Sequence, residues 1–129
     1  MGEDNTGNTF PTSGLLNNVD GMLRLYPINN GLFGVQGLSR DPSIRNIVSD
    51  APLETATDFY LRISSGGVEQ PLPGGNGVRT TLVDGSVITF RKVSTSDGSP
   101  AISINVRRST GSGEIRSQKI HFVIRREAR

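Results

Sequence analysis

His121 is the single histidine of a sequence that contains no cysteine. The other residues with chemistry to offer lie nearby in the chain: Arg91, Lys92, the hydroxyl run Ser94-Thr95-Ser96 with Ser99, and Lys119. An imidazole, a guanidinium and several hydroxyls are the parts that metal-free cleavage of RNA requires. A base removes the 2′-proton, and the 2′-oxygen attacks phosphorus to leave a cyclic phosphate. An acid then protonates the departing 5′-oxygen, while a cation stabilises the charge on the phosphorane. Histidine, with an ordinary pKa of about 6.5, suits either proton transfer. Arginine is planar, permanently charged and bidentate toward phosphate. Hydroxyls bond phosphate oxygens, and the backbone N–H groups around Asp97-Gly98 offer an anion nest. The candidate catalytic residues are therefore His121, Arg91, Thr95 and Ser96. The candidate substrate contacts are Thr89, Lys92, Ser94, Ser99, Ser103, Asn105 and Lys119.

Other chemistries find less support. With one histidine and no thiol, a metal would have only scattered carboxylates, and no zinc, EF-hand or His-Glu-x-x-His pattern occurs. No metal or cofactor is expected. Gly111-Ser112-Gly113 reads as a flexible turn, not a nucleophile elbow. Pro73–Gly77 lacks the Lys-Ser/Thr that follows a phosphate loop. No apolar run approaches the ~20 residues of a membrane span, and the polar, acidic start MGEDNTGNTF is not read as a signal peptide. Residues 1–78 carry four basic and eight acidic groups, whereas residues 79–129 carry ten basic and four acidic. That asymmetry points the second half toward a polyanion such as nucleic acid.

The elements that must hold these residues follow from periodicity. At 129 residues, 33% apolar and 5% aromatic, the chain builds one modest core. Residues 1–13 read as a disordered lead. Leu15, Leu16, Val19, Met22 and Leu23 recur near helical spacing, and Ile28–Gly31 is a turn signal. Asp41-Pro42-Ser43 predicts a helix start, continuing through about Val48. Thr55 or Thr57 is expected to cap a second helix over Asp58–Ile63, with Phe59, Leu61 and Ile63 as its apolar contacts and Ser65-Gly66-Gly67 as its stop. After Pro71–Gly77 the period changes to two. Strands are expected over Val78–Val83, Val87–Val93, Ala101–Arg107 and Ile120–Arg125, with Asp84-Gly85 as a hairpin turn.

The expected class is α+β, with short N-terminal helices (about 14–66) packed on a four-stranded (three to five) antiparallel sheet (about 78–125). Alternation along these strands sends Ile88, Phe90, Ile102, Ile104, Ile120, Phe122 and Ile124 to one face. It sends Thr89, Arg91, Ser103, Asn105, Lys119 and His121 to the other. The polar face would then be cationic and hold the histidine.

The stretch Asp84–Asn105, DGSVITFRKVSTSDGSPAISIN, followed by QKIHFV at Gln118–Val123, carries a resemblance. It resembles the C-terminal toxin domains of bacterial polymorphic toxins, including LXG-type and contact-dependent inhibition effectors. The similarity covers about residues 57–124. Many such domains are similar to metal-independent ribonucleases of the barnase–EndoU–colicin–RelE type, with helices followed by a four-stranded antiparallel sheet. The resemblance implies a single toxin-like nuclease domain over 14–129 that cleaves cellular RNA, tRNA among the candidates. His121, Arg91 and the Ser94–Ser99 loop fall at the active-site positions. It further implies a cognate acidic immunity protein as partner and a monomer outside that complex. The implied setting is a secreted effector delivered to the cytoplasm of a target bacterium. A two-histidine mechanism cannot be assembled here, so the second proton-transfer group is to be sought among Lys92, Lys119, a tyrosine, a hydroxyl or a carboxylate. The competing readings are a non-catalytic nucleic-acid- or protein-binding module using the same basic face, and a deoxyribonuclease toxin.

Overall fold

A computed structural model of the chain describes residues 10–94, 97–107 and 114–125. Its elements run α1 (Leu15–Asp20), β1 (Ile28–Asn29), β2 (Leu32–Phe33), β3 (Val35–Gln36), β4 (Ile44–Ser49), α2 (Pro52–Ile63), β5 (Val68–Pro71), β6 (Gly77–Thr81), β7 (Val87–Arg91), β8 (Ala101–Asn105) and β9 (Gln118–Ile124). The class is α+β, as expected: two helices on a mostly antiparallel sheet. No described helix is long and apolar enough to cross a membrane.

The four strands that alternation marks form the meander β6-β7-β8-β9, all antiparallel. The register aligns Ile88 with Ile104, and Phe90 with Ile102 and Ile120, so the apolar residues share one face. The Asp84-Gly85 turn is present, with Gly85 at φ +88°, where a side chain would be strained. The Ile28–Gly31 turn signal becomes the β1–β2 hairpin. Its central residues Asn30 and Gly31 both have positive φ, the type I′ geometry that matches strand twist.

The sheet extends beyond the four expected strands to seven, in the order β3-β4-β9-β8-β7-β6-β5. One addition corrects the helix predicted from Asp41 through Val48. The Asp41 carboxylate does accept the Ser43 N–H (2.9 Å) and hydroxyl (2.7 Å), and the Ile44 N–H bonds the Asp41 carbonyl (3.1 Å). These bonds close a turn and do not open a helix. Ile44, Ile47 and Val48 are β-branched, and they leave the turn extended as β4. β4 then pairs with β9 in parallel, from Ile44 opposite Lys119 to Ser49 opposite Ile124. The second correction concerns α2, which begins at Pro52, six residues before the predicted Asp58, with no side-chain cap at Ala51. Neither threonine caps it. Thr55 shares a hydrogen bond with Ser49 (2.6 Å), and Thr57 bonds the Leu53 carbonyl (2.8 Å).

α2 lies across the apolar face of the sheet and buries Ala56, Phe59, Tyr60 and Ile63, while Leu61 faces solvent. Phe59 is the hub. Its ring meets Tyr26, Phe33 and Phe122 edge-on, with centroids 5.0, 4.9 and 5.6 Å away. Leu15, Val19 and Met22 of α1 and the turn after it close the core on one side.

One buried polar side chain ties the β1–β2 hairpin to this frame. Gln118 accepts the Phe33 N–H (2.7 Å) through Oε1 and donates through Nε2 to the Gly31 (3.0 Å) and Arg116 (2.7 Å) carbonyls. Truncation to alanine would leave the buried Phe33 N–H without a partner, at ~1–3 kcal/mol, while the Gly31 carbonyl would keep only the Arg116 N–H (3.1 Å). Gln118→Ala is therefore expected to cost about 1–3 kcal/mol in chemical denaturation, with an unchanged far-ultraviolet spectrum under native conditions.

Candidate active site

The face opposite the core is read from strand register. One row across it runs Arg79, Thr89, Ser103, Lys119. The next runs Gly77, Arg91, Ala101, His121 and, across the parallel pairing, Asn46 of β4. The alternation argument thus brings Thr89, Arg91, Ser103, Lys119 and His121 onto one surface. Arg91 and His121 flank Ala101, with their Cα atoms two strand spacings, or about 10 Å, apart. The Arg91 side chain has no hydrogen bond or ion pair among the described residues, which leaves its guanidinium open to an external anion. Asn105 shares the face but lies four residues along β8 from Ala101, about 13 Å from the His121 row. Lys92 is exposed just beyond the end of β7. Thr95 and Ser96 lie outside the described residues.

His121 is not an open surface group. Its side chain is 8% exposed, and Asp97 and Ser99 close against its ring. The Ser94 N–H bonds the Ser99 carbonyl (2.8 Å), and the Gly98 N–H bonds the Ser94 carbonyl (3.1 Å). At the centre sits Asp97, whose Oδ1 accepts the Ser94 hydroxyl (2.8 Å), the Ser99 N–H (3.0 Å) and the Ser99 hydroxyl (2.6 Å). The same oxygen is 3.3 Å from His121 Nδ1, and Ser99 Oγ is 3.0 Å from that nitrogen.

The loop therefore works differently from the expectation. Its backbone N–H groups at Gly98 and Ser99 are spent internally, so they form no anion nest. The Ser94 hydroxyl is buried on Asp97, and the Ser99 hydroxyl lies between Asp97 and the imidazole. Both serines help to build the histidine's setting. The residue that the sequence reading missed is Asp97 as a carboxylate, valued there only for its backbone. Its signal was the Ser94–x–x–Asp97–x–Ser99 spacing, in which two hydroxyls can close on one carboxylate. Ser99 and Asp97 approach the same ring nitrogen, so this is not the triad of an acyl-transfer hydrolase, where they sit on opposite nitrogens.

Electrostatics separates the pair. Burial pushes the Asp97 carboxyl up, but the Ser99 hydroxyl, the Ser99 N–H, the Ser94 hydroxyl and the His121 charge together outweigh it and hold the group at about 2. Burial pushes His121 below its ordinary value of 6.5. Asp97 opposes that shift and Lys119 adds to it, so the imidazole is neutral at pH 7.

Neither tyrosine can serve as the second proton-transfer group on this face. The Tyr26 hydroxyl donates to Asp58 (2.7 Å), and its ring packs on Phe59. Tyr60 is buried between α2 and the sheet, bonded to Thr80 and Glu69, and its hydroxyl is pushed up to about 12, mainly by burial. Lys119, two residues from His121 along β9 and on the same face, is the remaining candidate whose charge acts on the imidazole.

A cleft of about 390 Å³ borders the loop, lined by Pro52, Asp97–Pro100 and Phe122–Ile124. A second, of about 400 Å³ and largely apolar, lies between Leu25–Asn29 and the β3–β4 edge, away from Asp97 and Ser99. Comparison with protein-family models, with curated proteins and with solved structures gave no match.

Proposed function

We propose that this chain is a metal-independent endoribonuclease toxin domain that cleaves cellular RNA by attack of the 2′-hydroxyl, leaving a cyclic phosphate. The observation that carries the reading is an imidazole, anchored through one nitrogen, on a sheet face that also presents Arg79, Arg91 and Lys119. In this reading His121 takes the 2′-proton, Arg91 clamps the phosphate from across Ala101, and Lys119 assists at the leaving oxygen. Thr89 and Ser103, side by side between the cations, contact the sugar-phosphate chain. The basic balance of residues 79–129 supports a polyanionic substrate. The resemblance to polymorphic toxins adds tRNA as a candidate target, an acidic immunity protein that covers this face, and delivery into a target bacterium.

A second reading, a non-catalytic module that binds RNA through the same face, is favoured by one observation. His121 is only 6% exposed, which suits a residue that anchors a loop. Incubating the protein with total RNA in EDTA and resolving the products on a denaturing gel separates the two. Discrete cleavage with 2′,3′-cyclic ends supports the ribonuclease. Binding without cleavage supports the module, and cleavage of DNA only with Mg²⁺ supports a deoxyribonuclease.

Arg91 provides a sharper test. It lies off the core and has no partner among the described residues, so Arg91→Ala should change stability by no more than about 0.5 kcal/mol. Removing one preorganised charge from a phosphorane costs ~10²-fold in rate. A drop of that size in kcat at an unchanged melting temperature is the expected result. Wild-type turnover by the variant would exclude Arg91 from the chemistry.

A further inference from the structure

We infer that Asp97 and Ser99 are positioning residues that fix His121 as the Nδ1–H tautomer and so present Nε2, with its lone pair, as the basic nitrogen. The inference deepens the ribonuclease reading and rests on it for its catalytic meaning.

The argument is one of hydrogen counting. Ser99 has a single hydroxyl hydrogen and two neighbours that could take it, Asp97 Oδ1 at 2.6 Å and His121 Nδ1 at 3.0 Å. An ionised carboxylate accepts only, and a bond to it is charge-assisted, shorter and stronger than one to a neutral imidazole. The hydrogen therefore goes to Asp97. Ser99 Oγ then faces Nδ1 with a lone pair, and Asp97 Oδ1, 3.3 Å from the same nitrogen, does so as well. Two acceptors converge on Nδ1, so Nδ1 carries the proton. The partner atom on a histidine's other nitrogen sets its tautomer, and here the chain runs Nδ1–H to Ser99 Oγ–H to Asp97.

Nε2 is left free. It has no hydrogen bond among the described residues, and no buried side-chain nitrogen or oxygen there lacks a partner. Nε2 is consequently not sealed from solvent, and in the ribonuclease reading it is the nitrogen that meets the 2′-hydroxyl. The other anchors on Asp97, the Ser94 hydroxyl and the Ser99 N–H, hold the carboxylate in place and are not themselves part of the path. The charged groups facing the imidazole are Asp97 from the loop and Lys119 from its own strand. Its cross-strand neighbours, Ala101 on β8 and Asn46 on β4, carry no charge.

Because His121 is the only histidine, a tag-free, ¹⁵N-labelled protein gives one imidazole spin system, and long-range proton–nitrogen correlations read both ring nitrogens directly. At neutral pH the wild type should show Nδ1 protonated and Nε2 unprotonated. Ser99→Ala should shift the tautomer toward Nε2–H, and Ser99→Thr, which keeps the hydroxyl, should restore it. Asp97→Asn should lower the histidine pKa further, because the negative charge that raises it is gone. In RNA cleavage, Ser99→Ala and Asp97→Asn should lower kcat about 10- to 100-fold, a part of the 10²–10⁴ that a positioned base supplies. KM should stay within about twofold, and the acid limb of the Asp97→Asn profile should move to lower pH.

An Nε2–H wild type, or variants that leave both tautomer and kcat unchanged, overturns the inference. Should Asp97→Asn fail to fold, the wild-type spectrum and the two Ser99 variants still decide. The expected tautomer in a protein that cleaves no RNA would sink the ribonuclease reading alone, since the spectrum needs no activity.

Discussion

His121→Ala is expected to abolish RNA cleavage, lowering the rate by ~10²–10⁴, the contribution of one positioned proton transfer. Alanine also removes the group on which the Ser94–Ser99 loop rests, so a stability loss of about 1–2 kcal/mol should accompany it. His121→Asn separates the two effects. Its amide can still donate to Ser99 and hold the loop, but it cannot accept a proton at neutral pH. That variant should melt close to the wild type and remain inactive. Turnover by His121→Asn would remove the imidazole from the mechanism, and an inactive but also unfolded protein would make His121 a structural anchor. The pH profile carries the same logic. A base works only while unprotonated, and burial holds His121 below 6.5. The rate should therefore persist to pH values below 6.5 and only then fall tenfold per unit. Stability should decline in the interval just above that fall, from about pH 6.5 down to the folded protein's own lower pKa. The unfolded chain takes up its proton from about pH 6.5 downward, before the folded protein does, so acid favours unfolding there.

The largest stability effect is expected from Phe59→Ala. The ring is fully buried and meets three other aromatic rings from the loop before β1, from β2 and from β9. Deleting it forfeits the burial of the side chain and leaves a cavity among rigid rings that cannot collapse into it, a cost of about 3–5 kcal/mol. For a domain whose total stability falls in the usual range of about 5–15 kcal/mol, that is a large share. The melting temperature should drop by roughly 10–20 °C. Phe59→Leu, which refills most of the volume, should lose about 1–2 kcal/mol. A Phe59→Ala melting point within a few degrees of the wild type would show that the aromatic hub does not bear the core.

What the sequence made legible was local. β6 to β9 are consecutive, their turns carry Gly or polar residues, and β7, β8 and β9 alternate, apart from Val87 and Val123 on the polar side, so faces and neighbours follow without knowledge of the rest. That is why Arg91, Thr89, Ser103, Lys119 and His121 could be placed on one surface. β4 was misread because Asp41-Pro42-Ser43 is equally a helix start and a turn. The choice was made by its distant parallel partner β9, which no local pattern announces. Asp97 was overlooked for a related reason. A carboxylate in a serine-rich loop reads as a turn former, and only the fold-back of the loop over β9 reveals that it closes on the histidine. Burial of His121 was likewise invisible, because alternation assigns a side chain to a face without saying what covers it.

β9 follows every other described strand in the chain, yet it sits inside the sheet, between β4 and β8. It is the seam that joins two blocks of strands formed earlier, and it holds a partner some seventy positions away by parallel pairing. Contacts of such sequence separation must pay loop-closure entropy before they are rewarded, which slows folding. As the chain leaves a ribosome, β5 to β8 and the first strands can form while the gap between them stays open. The imidazole arrives with the strand that fills the gap. Assembly of the histidine's setting and completion of the sheet are therefore expected to be one kinetic event.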